Sequence, residues 1–479
     1  MSKGEKKKKG TRKEKIESEE DVLKGYKGYA REKLEAAGAK IWDIVEIEKD
    51  ERIARGIILP RSEFEEDTIH VNLKLKSGYN VGIELTDSTR ITIQGYEAGE
   101  YHFPEREIIF NKNLLTISLL GTGGTISSRL DYRTGAVHPA ITPAELFTAI
   151  PELAELCNLY PEIIFNIVSE DMDPAHWVEL AKVIATKIES EKVDGVVIAH
   201  GTDTLCVTGA ALSFLLQDLP VPVILVGSQR SSDRPSSDSA MNLINAVRFA
   251  AEADVAEVLI CMSGSTSHDF GLLHRPGRAR KMHSSRRDAF KTIGTLPFGK
   301  IQKTNITILE KSYQKRDKTR ELRATLKMDP KVALLYHFPG IQPDLIETLI
   351  DKEYHGLVLA GTGLGHISKN LLNPLKRAIE ANMAVVMTVQ TLWGFAGMQV
   401  YQRGREELSI GIIPGQNLLP ETAYAKLSWI LGQTRNLDEV RQLMVKNIAG
   451  EILSRETIAG YLILQGIEPG LENYYKALK

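Results

Sequence analysis

From residue 114 onward the chain repeats one pattern: a continuous apolar run, a glycine-containing loop, then a helix-like segment. The runs are residues 114–120, 193–199, 222–226 and 255–262. A strand that is apolar on both faces must be buried on both faces. That condition is met by a parallel sheet sandwiched between helices. The pattern therefore predicts an α/β fold. Thr142, Pro143 and Glu145 carry the signature of a helix start, with a cap, a proline at the first position and an acid three residues on. A second series begins near Lys331, with strands expected at 332–336, 357–360 and 384–389. The stretch 311–327, rich in Lys and Arg, reads as the linker between the two series.

Ahead of residue 114 the period is different. Residues 23–38 hold good helix formers such as Ala30, Leu34 and Ala36. Short strand-like runs follow at 41–47, 57–59, 69–75, 79–85, 91–95 and 108–110, punctuated by Gly56, Pro60, Ser77-Gly78 and Asp87. Closely spaced short strands with tight turns predict a small β-barrel of SH3-like type. The first twenty residues, with the run Lys6-Lys7-Lys8-Lys9, read as a disordered solvated tail, with contact to an acidic partner as the second reading. The expected regions are a basic tail (1–20), a small barrel (21–112), two α/β domains (113–315 and 316–450) and a C-terminal helical extension (451–479).

Composition narrows the function. Of 479 residues, 43% are hydrophobic and 25% charged, as in an ordinary soluble protein. The formal net charge of -2 does not mark a nucleic-acid binder. No apolar run is long enough to span a bilayer, and the lysine-rich start lacks the apolar stretch of a secretory signal. No membrane association and a cytoplasmic location are expected. Cys157, Cys206 and Cys261 are too scattered for a disulfide framework or a metal site, and read as buried thiols. His268, His274 and His283 match no zinc spacing.

Ligands of an open parallel sheet sit at the carboxyl ends of its strands, so the loops after the apolar runs come first. The loop Gly121-Thr122-Gly123-Gly124-Thr125-Ile126-Ser127 can turn backbone N–H groups toward an anion, or be a simple tight turn. It lacks the Gly-Lys-Ser/Thr ending of a P-loop. The loop His200-Gly201-Thr202-Asp203-Thr204 follows residues 195–199 and precedes a predicted helix with Leu205, Ala211, Leu212 and Leu215 on its buried face. By itself Thr-Asp-Thr is also what a plain helix cap looks like.

Taken together the two loops resemble the two signatures of the asparaginase/glutaminase family, carried here by residues 119–127 and 195–205. The resemblance runs from about residue 114 to 450. It implies Thr125 as nucleophile and a second catalytic cluster of Thr202, Asp203 and Lys281. Lys281 is placed by Lys281-Met282-His283-Ser284-Ser285, with Phe290 nine residues on where the family has one. Tyr132 resembles the mobile-loop tyrosine beside the nucleophile. Ser169 and Glu170 resemble the residues that hold the substrate's α-carboxylate and α-amine. Without the two loops, Lys281 would read as a surface lysine.

The implied chemistry has physical requirements. A threonine hydroxyl attacks only when a base takes its proton. Lysine serves as that base once burial or nearby positive charge brings it down from about 10.4. Asp203 holds the lysine in place, but its charge works in the opposite direction. Backbone N–H groups near Thr125 and Thr202 would stabilise the oxyanion. Five arginines, Arg275, Arg278, Arg280, Arg286 and Arg287, surround Lys281 in sequence; they read as a solvated loop, or as a surface for tRNA or a partner.

Two features depart from a stand-alone enzyme. Leu364, in Gly361-Thr362-Gly363-Leu364-Gly365-His366, stands where such enzymes often place an asparagine. More than a hundred residues precede the first motif. They include Gly56-Ile57-Ile58-Leu59-Pro60-Arg61 and Gly78-Tyr79-Asn80-Val81-Gly82-Ile83, which resemble the D-subunit family of archaeal glutamyl-tRNA(Gln) amidotransferases. That resemblance implies a glutaminase that passes ammonia to a partner E subunit. It also implies no cofactor on this chain, with ATP and Mg used by the partner. tRNA(Gln) would be held mainly through the partner, and the chain would form a homodimer within a heterotetramer. A free L-asparaginase and a non-catalytic scaffold are the alternatives.

Overall fold

The computed structural model describes residues 22–50, 52–61, 66–76, 80–96, 111–123, 128–131, 136–139, 150, 152–230, 236–457 and 460. The chain divides into two compact units.

The first unit has one helix, α1 (Gly28–Ala36), and five strands: β1 (Asp43–Lys49), β2 (Arg52–Ile58), β3 (His70–Leu75), β4 (Asn80–Glu84) and β5 (Arg90–Tyr96). They form one antiparallel sheet in the order β4-β3-β2-β1-β5, as a small barrel-like domain requires. The pleat turns Val45 and Ile47 inward, where they meet Ile58, Val71 and Leu73 and the helix residues Ala30 and Leu34. The helix is shorter than expected. Tyr26 N donates to Leu23 O, closing a turn whose apolar side chains join the core, and the Tyr26 hydroxyl donates to Leu59 O. The strand expected at 108–110 and the basic tail lie outside the described residues.

The second unit is built on an eight-stranded sheet. Its strands are β6 (Thr116–Gly121), β7 (Asn158–Ile163), β8 (Gly195–Ala199), β9 (Val223–Val226), β10 (Val258–Ser263), β11 (Gly271–His274), β14 (Gly299–Gln302) and β15 (Asn305–Ile308). A separate hairpin pairs β12 (Ala279–Lys281) with β13 (Phe290–Thr292). The sheet order is β15-β14-β11-β10-β9-β8-β6-β7, parallel from β7 to β10 and antiparallel beyond. Both faces are buried, as the apolar runs demanded. Val196 and Ile198 pack toward α2 (Pro174–Glu189) and α3 (Leu205–Leu215). Val197 and Ala199 pack toward α4 (Ser239–Glu252). A second sheet, β16 (Val332–Tyr336), β17 (Gly356–Gly361), β18 (Ala384–Val389) and β19 (Ile413–Pro414), is parallel throughout. Its residues Val358 and Val386 share a core with Leu427 and Ile430 of α5 (Pro420–Leu431) and with α3, and the rings of Phe214 and Trp429 stack at 6.0 Å.

The basic stretch 311–327 is fastened down. Arg316 donates to the carbonyls of Asp194 and Ala250, Arg320 to that of Leu219, and Arg323 pairs with Asp218. The helix start at Thr142 lies outside the described residues. Residues 451–457 run without regular helix, and the rest of the expected extension, apart from residue 460, lies outside them. Among the described residues no helix is long and apolar enough to cross a membrane.

Candidate active site

The strand order reverses between β6 and β8. From β6 the chain goes to β7 on one side, then returns to β8 on the other. Diverging loops at such a point leave a crevice at the carboxyl edge. The two signature loops follow these two strands. Gly121 and Ala199 are register partners, and Thr122 N and Oγ1 both donate to Ala199 O, at 3.0 and 3.1 Å. Thr125 lies outside the described residues, as does Tyr132.

The second loop is not a plain helix cap. Thr204 occupies the cap position of α3, yet its hydroxyl makes no cap bond and donates to Ser169 O at 2.6 Å. That bond draws the turn Ser169–Asp171 against the loop, with Ser169 buried and Glu170 exposed. Gly201 makes the approach possible, since a Cβ there would stand 2.7 Å from Ser169 Cβ. His200 is buried, its Nδ1 2.6 Å from Gly201 O, and burial pushes its ring down to about 4, so it is neutral at pH 7.

Lys281 reaches the loop from a distant part of the chain. Pro276 packs against α3 at Gly209, where a Cβ would come within 2.7 Å of the proline ring. The segment then enters β12, and Lys281 at its end turns to the loop. Its Nζ donates to Thr202 Oγ1 at 2.9 Å and to Asp203 Oδ1 at 2.8 Å. Lys281 is 14% exposed and Asp203 67%. The pair thus has one end in the protein and one facing solvent. Beside it lies a cavity of about 380 Å³, with Asp203, Lys281, Ser284, Glu421 and Thr422 in its walls.

Of the arginines around Lys281, only Arg286 lies in a solvated stretch, residues 283–286; the other four are half-buried or buried and engaged with acceptors. Arg275 pairs with Glu257 and Glu310, Arg280 with Glu421 and Arg286 with Asp288. Arg287 donates to the carbonyls of Thr266 and Ser236, and Arg278 is 1% exposed. Cys157 and Cys261 are buried and Cys206 is half-buried; burial pushes all three thiols up, which disfavours the thiolate. No cluster of His, Cys, Asp and Glu suited to a metal occurs among the described residues. Leu364 lies half-buried in the loop after β17. The sequence alone assigned no role of their own to Thr204 and Gly201, and placed Arg278 only in a group of cations. For the first two, the signal was adjacency to Thr202 and Asp203; for Arg278 it was only the three-residue spacing to Lys281.

Comparison with known proteins gives the chain's relatives. Family profiles match at residues 116–314 (asparaginase, N-terminal), 331–444 (glutaminase/asparaginase C-terminal domain) and 39–93 (GatD N-terminal domain). The D subunit of glutamyl-tRNA(Gln) amidotransferase from Methanobrevibacter smithii is 48% identical over 438 residues, covering 91% of this chain and 99% of that protein. Its counterpart from Pyrococcus furiosus is 47% identical over 427 residues, covering 88% and 96%. Among solved structures, the thermostable L-asparaginase from Thermococcus kodakarensis superposes with a TM-score of 0.63 at 30% identity, covering 71% of this chain and all of that one. L-asparaginase I from Vibrio cholerae gives 0.62 at 29%, covering 71% and 99%. With its asparaginase-type α/β core, its N-terminal sheet unit and these identities, the chain belongs to the D-subunit family of glutamyl-tRNA(Gln) amidotransferases.

Proposed function

We propose that this chain is the glutaminase subunit of a tRNA-dependent amidotransferase. The observation that carries the reading is the contact of Lys281 Nζ with both Thr202 Oγ1 and Asp203 Oδ1, beside the switch point of the sheet. Thr125 is the nucleophile. Its hydroxyl oxygen bonds to the side-chain amide carbon of glutamine as a base removes the proton. Lys281 draws a proton through the Thr202 hydroxyl along the 2.9 Å contact. Asp203 fixes the amine's position. Backbone N–H groups of the two loops stabilise the oxyanion. The C–N bond breaks, the nitrogen takes the proton and leaves as ammonia, and water then splits the acyl-threonine to give glutamate. Ser169 and Glu170 bind the α-carboxylate and α-amine of the substrate, and Tyr132 serves as the family's tyrosine beside the nucleophile.

The relatives' name supports the destination of the ammonia. A partner E subunit binds glutamyl-tRNA(Gln), activates its glutamyl group with ATP and Mg, and accepts the ammonia to make glutaminyl-tRNA(Gln). This chain binds no cofactor, forms a homodimer within a heterotetramer, and meets tRNA mainly through that partner, in the cytoplasm. The test is ammonia release from glutamine and from asparagine, with and without the partner and glutamyl-tRNA(Gln). Glutaminase activity that rises with both additions is expected. Vigorous asparagine hydrolysis by the lone chain, indifferent to tRNA, would replace this reading with a free asparaginase.

A further inference from the structure

Arg278 lies at the foot of the hairpin that presents Lys281, and it is almost completely buried. Its Nε and Nη2 donate to Ile293 O at 2.9 and 2.7 Å, and Ile293 N donates back to Arg278 O at 2.7 Å. These bonds close the hairpin at its open end, just outside the β12–β13 register. Nη1 donates to Asn417 O and, at 3.4 Å, to Glu451 O. One rigid planar group therefore joins three separate stretches of chain.

The third stretch is itself anchored. Asn417 Nδ2 donates to Leu453 O at 2.7 Å, and Leu453 N donates to Asn417 Oδ1 at 3.1 Å. Thr422 Oγ1 donates to Gly277 O at 3.0 Å, next to Arg278. Residues 447–457 thus form a strap across the base of the hairpin.

Burying a guanidinium is unfavourable, and here the nearest carboxylate among the described residues, Glu456, stands 4.0 Å away. An apolar side chain of similar volume would fill the space without that cost. What the apolar chain could not do is hold three carbonyls at fixed distances.

We infer that Arg278 is a positioning residue for Lys281: by clamping the hairpin base to the strap 447–457, it sets where the Lys281 amine meets Thr202 and Asp203. The inference rests on the proposed role of Lys281 as the base. Lysine has a long flexible side chain, and a misplacement of about 1 Å in a reacting group can cost about 100-fold in rate.

The test is a double-mutant cycle on the full chain with its partner, following ammonia release from glutamine. Arg278→Met is expected to lower kcat about 100-fold, with KM within about threefold. Arg278→Lys should recover part of the loss. On the residual activity of Lys281→Ala, Arg278→Met should add no further loss, because no amine remains to be placed. An unchanged kcat, or the same factor lost in both backgrounds, would overturn the inference and leave a general structural role. A Lys281→Ala chain with full activity would be a different failure, that of the base assignment itself. If Arg278→Met shows no melting transition, Arg278→Lys carries the same cycle, with a smaller kcat loss expected only when Lys281 is present.

Discussion

Replacing Glu451 with alanine strips the counter-charge from a fully buried ammonium. Lys426 Nζ and Glu451 Oε1 are 2.6 Å apart, and both side chains are 0% exposed. The carboxylate also accepts from Ile448 N at 3.1 Å and Ala449 N at 2.7 Å. After the substitution Lys426 keeps the carbonyls of Met444 and Lys446, but two amides lose their acceptor. Breaking a buried pair costs about 3–5 kcal/mol, and each amide left bare adds about 1 kcal/mol. Because the terms overlap, a total of about 5 kcal/mol is expected. At about 1–1.5 °C per kcal/mol for a unit of this size, this is a fall of about 5–8 °C in Tm. Glu451→Gln keeps an acceptor without the charge and should lose roughly half as much. The double change Lys426→Met with Glu451→Met should recover most of the loss, since no charge is then left buried. Calorimetry of the full chain measures all three. A Glu451→Ala chain melting within about 2 °C of the original, or a double variant less stable than the single one, would refute the reasoning.

Two further outcomes follow from other buried groups. Burial raises the Glu407 carboxyl to about 7 from an ordinary 4.5. The folded chain therefore keeps a proton between those values that the unfolded chain has lost, so stability falls as pH rises through that window, by roughly 3 kcal/mol. Glu407→Gln should flatten that fall in melting curves from pH 4.5 to 8; an unchanged slope would contradict it. Gly201→Ala places a methyl against Ser169, and kcat/KM for glutamine should drop at least about tenfold with little change in Tm; wild-type kinetics would show that the contact is not needed.

Legibility in the sequence followed the range of the interactions. The strands β6, β8, β9 and β10 are visible because residues buried on both faces leave an uninterrupted apolar run. The two signature loops are visible because each is contiguous. The sequence order of β6, β7 and β8 does not reveal that the chain reverses there, which is what brings the loops together. Four of the five arginines near Lys281, all but the exposed Arg286, depart from the solvated reading for a related reason. A run of cations looks solvated until its acceptors are known, and these are Glu257, Glu310, Glu421 and carbonyls far along the chain. The helix expected over 23–38 failed at its start, because Leu23 and Tyr26 are buried in a turn that helix propensity alone cannot anticipate.

The proposed role of Lys281, with Thr202 and Asp203, is amide cleavage whose useful product is ammonia. It is tested most directly by glutamine carrying ¹⁵N in its side-chain amide, given to the complex of this chain with its partner, ATP and glutamyl-tRNA(Gln). The label should appear in glutaminyl-tRNA with the original chain. With Lys281→Met it should not, while free ammonium should still be used by the same complex. Transfer of the label at an undiminished rate by the Lys281→Met complex would contradict the account.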